Sequence, residues 1–449
     1  MSIGYKKAKY HRRVGFVAVS MVFLLLFSAI VTVAQTATSP VKIGSEAEWF
    51  ASKIVLMHTP GDEIFLGVVH PAAALFEKPF SIKDATAEHR KYIELLREQG
   101  ATVYTVVETL LEGTVNNQGK PIPGSKLDAL KNFAKESLSI DASALPETMK
   151  IDQQAYKEKT IKALHPNELV EIILKQPTVH LYETKTNTGL GATYELKPLM
   201  NLYFLRDQMI TTAKGIVISR MNSEQRAPET RIVKFVLSKL GIKPIYEVTG
   251  EGRLEGGDYF SAGDTALIGQ GLRTNAIAIK QLLDNQVFGL PRVAVVKDSW
   301  KNQEEMHLDT YFNIISPVLA VLVELRMNTL DKSATDAVQS KVDLYELEDD
   351  GYKLKVADVE FQKFLEEEMG FKLIPVSRDN QISYGINFLT IAPNTILAID
   401  GVSIEYKQAL KEAGVDAIWM DFHNLTGGYG AAHCTTQVLL REDTATQNK

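Results

Sequence analysis

Apolar and polar positions along the chain switch between two periods, and the switching predicts an α/β protein. Residues 53–57 form a short apolar run that stops at His58-Thr59-Pro60-Gly61-Asp62, the pattern of a strand entering a turn. Over residues 85–99 the apolar positions recur at helical spacing until Gly100, and residues 101–107 return to a strand pattern. From residue 202 onward strands and helices alternate at 215–219, 229–240, 243–248, 266–268 and 274–283. The alternation repeats at 388–392, 396–399, 406–413 and 417–420. Residues 110–176 are charged, carry helical spacing and show no strand of any strength, so they predict a helical insertion. No repeat of fixed period is visible in the residues themselves.

The first residues stand apart. Lys6, Lys7, Lys9, Arg12 and Arg13 precede an uncharged apolar run at 14–33, which ends at Ala34-Gln35-Thr36-Ala37. A basic start, an apolar middle and small residues afterwards make a secretory signal. The run is also long enough to cross a bilayer once as a helix. A cut after Ala34, with Thr32 at the −3 position, would release the rest of the chain. Without a cut, the basic flank stays in the cytoplasm and the body faces outward. A buried core helix fits poorly, because the run is apolar on every face. The expected organisation is a signal or membrane anchor at 1–34, a polar linker at 35–48 and one large domain at 49–449, exported in either case.

Composition is that of an ordinary globular chain, 45% apolar and 23% charged, which excludes a disordered or fibrous protein. A net charge of −6 offers no basic face for nucleic acid. The single cysteine, Cys434, cannot form an intramolecular disulfide, and an exported chain has little reason to keep one thiol unless something needs it. The bland alternative is a buried, inert cysteine.

Four stretches concentrate polar residues: Asn201-Leu-Tyr-Phe-Leu-Arg206-Asp207, Leu254-Glu255-Gly256-Gly257-Asp258, Met306-His307-Leu308-Asp309-Thr310, and Gly427-Gly428-Tyr429-Gly430-Ala431-Ala432-His433-Cys434. Each has a structural reading of its own. Arg206-Asp207 could be a surface ion pair. The glycines of Glu255–Asp258 could supply positive φ in a tight turn. His307 and Asp309 would share a face of an extended segment. Together they form one set: a thiol, an imidazole and several carboxylates. A cysteine nucleophile acts as its thiolate, and carboxylates nearby would oppose that ionisation. They make sense beside the thiol only if the substrate is itself a cation. A planar guanidinium is the natural partner for paired carboxylates. No metal site is indicated, since the nine histidines show no ligand spacing with Cys or Glu, and no cofactor is expected.

The order of these stretches resembles the arginine deiminases. So do Thr59-Pro-Gly-Asp-Glu63, the stretch from Asn387 to Pro393, and Leu439-Leu-Arg-Glu-Asp443; the resemblance spans about Trp49 to Asp443. It implies the five-bladed α/β propeller of ββαβ units found in the guanidine-modifying superfamily. It also implies hydrolysis of L-arginine to L-citrulline and ammonia. By position, Cys434 would attack the guanidinium carbon. His307 would protonate the departing ammonia and then activate water. Asp207 and Asp309 would grip the guanidinium nitrogens, and Glu255 would support the substrate and His307. Asn201, Arg226 and Arg273 fall where the family binds the α-carboxylate, with Asp258 beside them.

The departures concern the amino-acid end of the substrate. Tyr429 stands where the family carries an arginine, Gln208 replaces a small residue or proline, and Leu205 replaces a threonine. Losing one of three cationic contacts costs carboxylate binding about 1.5–3 kcal/mol if nothing compensates. Other guanidino substrates (agmatine, peptidyl-arginine) and amidinotransfer therefore stay open. A catalytically silent guanidino-binding protein is the alternative of another class, but it has no chemical reason to keep an oxidisable thiol. A Cys-His protease is weaker still, because carboxylates around the thiol disfavour a neutral amide. The expected partner is a small guanidino molecule. Membrane anchoring through 14–33 and a homo-oligomer are open.

Overall fold

The computed structural model describes residues 42–150, 152–186, 188–327 and 340–443. Strand Ala51–Met57 runs parallel to Thr102–Thr105 and antiparallel to Gln437–Glu442. Parallel pairing needs a crossover, and helix Ile82–Glu98 supplies it. Ser81 caps that helix by accepting from the Asp84 backbone N–H at 3.3 Å. Its buried stripe is Ala85, Tyr92, Ile93 and Leu96.

The same connectivity recurs four times: an antiparallel hairpin, a crossover, then a strand parallel to the hairpin's second member. Met209–Thr212 and Gly215–Ile218 pair with Tyr246–Glu247, and Tyr259–Ala262 and Thr265–Gln270 pair with Arg292–Lys297. Phe312–Ser316 and Leu319–Val323 pair with Lys372–Val376, and Leu389–Ala392 and Thr395–Ile399 pair with Asp416–Met420. Helices Glu229–Lys239, Ala276–Asp284 and Ile404–Glu412 make three of the crossovers. The remaining one carries the hairpin Lys341–Glu348 with Gly351–Glu360, which adds to Arg292–Lys297 and widens that sheet to five strands. The α/β alternation expected from the sequence is therefore present. Central strands such as Leu319–Val323 are buried along their whole length, which is why they read as short unbroken apolar runs.

Two expectations are corrected. Residues 110–176 are not purely helical. Helices Ser125–Ser137, Gln153–Ala163 and Pro166–Lys175 are there, but Ser139–Ala144 is a strand. It pairs with Pro177–Glu183, which forms a hairpin with Leu190–Leu196, so the insertion is a small α/β unit that runs on to Leu196. Ser139–Ala144 is built largely of small and polar residues with none fully buried, so no apolar alternation marks it.

The predicted linker at 35–48 also gives way where it is described. Gly44 N–H donates to Leu439 O at 3.0 Å, and Glu48 N–H donates to Ser261 O at 2.8 Å. The Glu48 carboxylate is buried 2.5 Å from Arg441 Nη2. These small polar residues bind strand edges instead of water. The basic flank and the apolar run at 14–33 lie outside the described residues. Among the described residues, no helix is long and apolar enough to cross a membrane.

Candidate active site

Five strands are entered through short polar segments, and those segments carry the reactive side chains. Asp207 precedes Met209–Thr212, Glu255 and Asp258 precede Tyr259–Ala262, and His307 and Asp309 precede Phe312–Ser316. Asn387 precedes Leu389–Ala392, and Cys434 precedes Gln437–Glu442. All are buried. His307 and Asp309 do not share an extended face; the single 3-10 turn Leu308–Thr310 places Asp309 Oδ1 4.0 Å from His307 Nδ1. Nor do Gly256 and Gly257 supply positive φ. A Cβ on Gly257 would stand 2.6 Å from His307 Nδ1, so that glycine lets the backbone approach the imidazole.

Cys434 Sγ receives an N–H from Asn387 Nδ2 at 3.1 Å and lies 3.6 Å from Asp309 Oδ2. That Asp309 oxygen also meets His433 Nδ1 at 2.8 Å. His433 stacks on Phe260 at 5.1 Å, and its Nε2 faces Glu48 at 3.4 Å. On the other side, His307 Nε2 meets Glu255 Oε2 at 2.8 Å. His307 Nδ1 lies 3.8 Å from Asp207 Oδ1. The two inward oxygens, Asp207 Oδ1 and Asp309 Oδ1, are buried and have no hydrogen-bond partner within the protein. Buried acceptors left in that state are costly, and a donor-rich cation would satisfy both.

The electrostatics follow from this packing. Burial opposes a charged His307, but Asp207, Glu255 and Asp258 outweigh it and raise its pKa to about 9. Burial favours a neutral Glu255, yet His307, Arg226 and Arg273 bring it down to about 2. Burial, then Asp309 and Asp207, push the Cys434 thiol well above its ordinary range. The resting site thus pairs a neutral thiol with an imidazolium. Asp207, Glu255 and His307 each offer a ligand atom within 4.8 Å of the others, a spacing that also suits a metal ion. The two unpartnered carboxylate oxygens, Asp207 Oδ1 and Asp309 Oδ1, flank His307 and offer acceptors to a planar cation with several N–H donors.

Two predicted contacts are placed differently. Asp258 lines neither cavity at Cys434; its Oδ1 accepts the Leu308 N–H at 3.0 Å and so anchors the turn after His307. Arg226 does line the site, but each of its guanidinium nitrogens already holds a partner. Nη1 donates to Asp207 Oδ2 at 2.8 Å, Nη2 to Asn201 O at 3.3 Å, and Nε to Glu229 Oε2 at 3.1 Å. Asn201 uses Nδ2 to hold Ala74 O at 2.9 Å. Arg273 is the less occupied cation: it meets Gln303 at 3.3 Å and Met306 Sδ at 3.8 Å, and its Nε has no partner. Arg273, Asn201, Asp207 and His307 line a small cavity of about 30 Å³. A larger one of about 170 Å³ is lined by Glu77, Arg378, Tyr384 and Asn387, and Cys434 and Tyr429 line both. The sequence reading did not single out Asn387, Glu48 or the pairing of His433 with Asp309. Asn387 was signalled by opening the family-like stretch to Pro393 and by its place, a polar residue leading into an apolar strand as Asp207 and Asp309 do.

A thiol held neutral by burial and carboxylates, a protonated imidazole and two unsatisfied carboxylate oxygens, all on lead-ins to strands of like sheets, define a guanidine-modifying enzyme. The fold agrees with the product-bound N-terminal domain of ArgZ, an arginine dihydrolase from cyanobacteria, with a TM-score of 0.51 at 15% identity over 86% of this chain and 97% of that one. The chain belongs to the arginine deiminase family, whose profile matches residues 73–441. It is 26% identical to the arginine deiminase of Halobacterium salinarum over 89% of this chain and 97% of the relative. It is 28% identical to that of Streptococcus equi subsp. zooepidemicus over 91% of this chain and the whole relative.

Proposed function

We propose that the protein hydrolyses L-arginine to L-citrulline and ammonia through a covalent Cys434 intermediate. The observation that carries this reading is the pair of buried, unpartnered oxygens of Asp207 and Asp309 beside Cys434 and His307. A guanidinium between them donates N–H groups to both and offsets the charge that keeps the thiol neutral. The Cys434 proton then leaves to solvent, because His307 already holds one. Sulfur bonds to the guanidinium carbon, and the C–N bond breaks as His307 protonates the departing ammonia. Neutral His307 next takes a proton from water, whose oxygen attacks the same carbon; the C–S bond breaks and citrulline is released. Asp258 acts here as an anchor for His307 and not as a substrate contact. Arg273 and Asn201 are assigned to the amino-acid end.

A second substrate has one observation in its favour. With Tyr429 in place of an arginine and Arg226 engaged by Asp207 and Glu229, fewer cations are left for a substrate carboxylate, chiefly Arg273 and Arg378, and this favours agmatine, which has none. Assaying citrulline, carbamoyl products and ammonia from L-arginine, agmatine and peptidyl-arginine, with Cys434→Ala alongside, separates the two. Turnover of L-arginine that disappears in the variant supports the leading reading. Turnover of agmatine alone moves the substrate and keeps the chemistry. Silence on all three by folded protein sinks the hydrolase.

The five sheets of like connectivity support closure as a five-bladed propeller, with residues 110–196 inserted between the first and second blades. The basic flank and apolar run at 14–33 support export, with the catalytic body outside the cytoplasm as a released or anchored protein. Fractionation of cells making the full chain tests the export reading.

A further inference from the structure

Asn387 is a strand-leading polar residue of the site to which the proposed chemistry gives no part. Its Oδ1 accepts the backbone N–H groups of Ala431 and Cys434, each at 3.2 Å. Its Nδ2 donates to Asp309 O and to Cys434 Sγ, each at 3.1 Å. Its own carbonyl accepts the His433 N–H at 3.1 Å. The opposite amide orientation would set an NH₂ against two N–H donors and an oxygen against a carbonyl, so only one orientation is satisfied. The N–H directed at sulfur is therefore fixed by chemistry.

We propose that Asn387 is a further catalytic residue, whose Nδ2–H stabilises and aims the Cys434 thiolate while its Oδ1 clamps the loop that carries it. The surroundings make such a donor useful. Sγ is buried, with Asp309 Oδ2 at 3.6 Å, so ionisation works against both desolvation and a like charge. A hydrogen bond to a charged acceptor is stronger than one to a neutral thiol, so this N–H favours the reactive form selectively. It stays in place after sulfur bonds to carbon and again when sulfur leaves as the thiolate, so it assists both halves of the reaction.

The inference rests on Cys434 being the nucleophile of the proposed reaction, but its test does not need turnover. Cys434 is the sole cysteine of the chain, so alkylation by iodoacetamide reads that thiol alone. In Asn387→Ser the shorter side chain withdraws the donor without adding charge. The midpoint of the alkylation pH profile is expected to rise by about one unit. The kcat for citrulline formation is expected to fall at least about tenfold with KM within about twofold. A folded Asn387→Ser protein with the wild-type midpoint overturns the proposal, even if activity is lost, because Asn387 would then serve loop architecture alone. If that variant fails to fold, Asn387→Thr, whose hydroxyl can still accept a backbone N–H and adds no charge, is read the same way. A midpoint shift without turnover by any substrate supports the donor and counts against the hydrolase.

Discussion

Arg226 Nη1 lies 2.8 Å from Asp207 Oδ2, so one oxygen of a carboxylate meant for substrate is already held from behind. The tie fixes the carboxylate plane and leaves Oδ1 facing the site. Removing Arg226 would take from the buried Asp207 and Glu229 the guanidinium they share. Arg226→Gln is expected to lose about 3–5 kcal/mol of stability in urea unfolding, together with most activity against every guanidino substrate. Unchanged stability with a raised KM for L-arginine alone would return Arg226 to the substrate carboxylate.

Asp258 ties the Leu308 backbone and lies close enough to His307 to favour its charged form. Burial raises its own pKa from 3.8 to about 7. The folded state therefore binds a proton that the unfolded state releases, and stability falls as pH rises from about 4 to 7. Asp258→Asn keeps the acceptor for Leu308 and should flatten that slope. It should also lower the pH at which kcat falls on the alkaline side. Parallel pH profiles for the two proteins would remove Asp258 from the control of His307.

The imidazolium sets the alkaline limit. His307 is raised from 6.5 to about 9, so its pairing with Glu255 and Asp207 contributes fully below pH 6.5 and is lost as pH passes about 9. Both stability and kcat are expected to decline through that upper range, since the leaving ammonia takes its proton from His307. Activity that stays level beyond pH 10 would show that another group supplies the proton.

Tyr429 has φ +77°, a conformation unusual for an aromatic residue, and lines both cavities at Cys434. Tyr429→Arg places a cation at the amino-acid end of the site. A charge-assisted contact worth about 1.5 kcal/mol lowers the KM for L-arginine about tenfold and leaves agmatine unaffected. Steady-state kinetics on both substrates decide it, and an unmoved arginine KM would locate the carboxylate elsewhere.

Much of this was legible in the sequence. Helix Ile82–Glu98 and strands such as Leu389–Ala392 and Thr395–Ile399 follow the periodicity closely, and Asp207, Glu255, His307, Asp309 and Cys434 meet as their chemistry required. Two things were not. Ser139–Ala144 buries too little apolar surface to announce a strand. The recurrence of one strand-leading position was hidden because each copy carries different chemistry: aspartate, glutamate, histidine, asparagine or cysteine. Asn387 escaped for that reason, since an amide before an apolar run looks like ordinary loop polarity. Arg226 lines the small cavity with Arg273 as the sequence placed it, but a sequence does not tell that Glu229, three residues later, also holds it.

The sheet that presents Cys434 joins strand Ala51–Met57 to strand Gln437–Glu442, and Arg441 closes onto Glu48. A ribosome delivers these two halves hundreds of residues apart. The thiol therefore meets Asn387, Asp309 and its supporting sheet only once the chain has been made as far as Glu442. Reactivity is in this way coupled to completeness: a nascent or truncated chain holds most of the carboxylates and the imidazole, yet has nothing with which to attack.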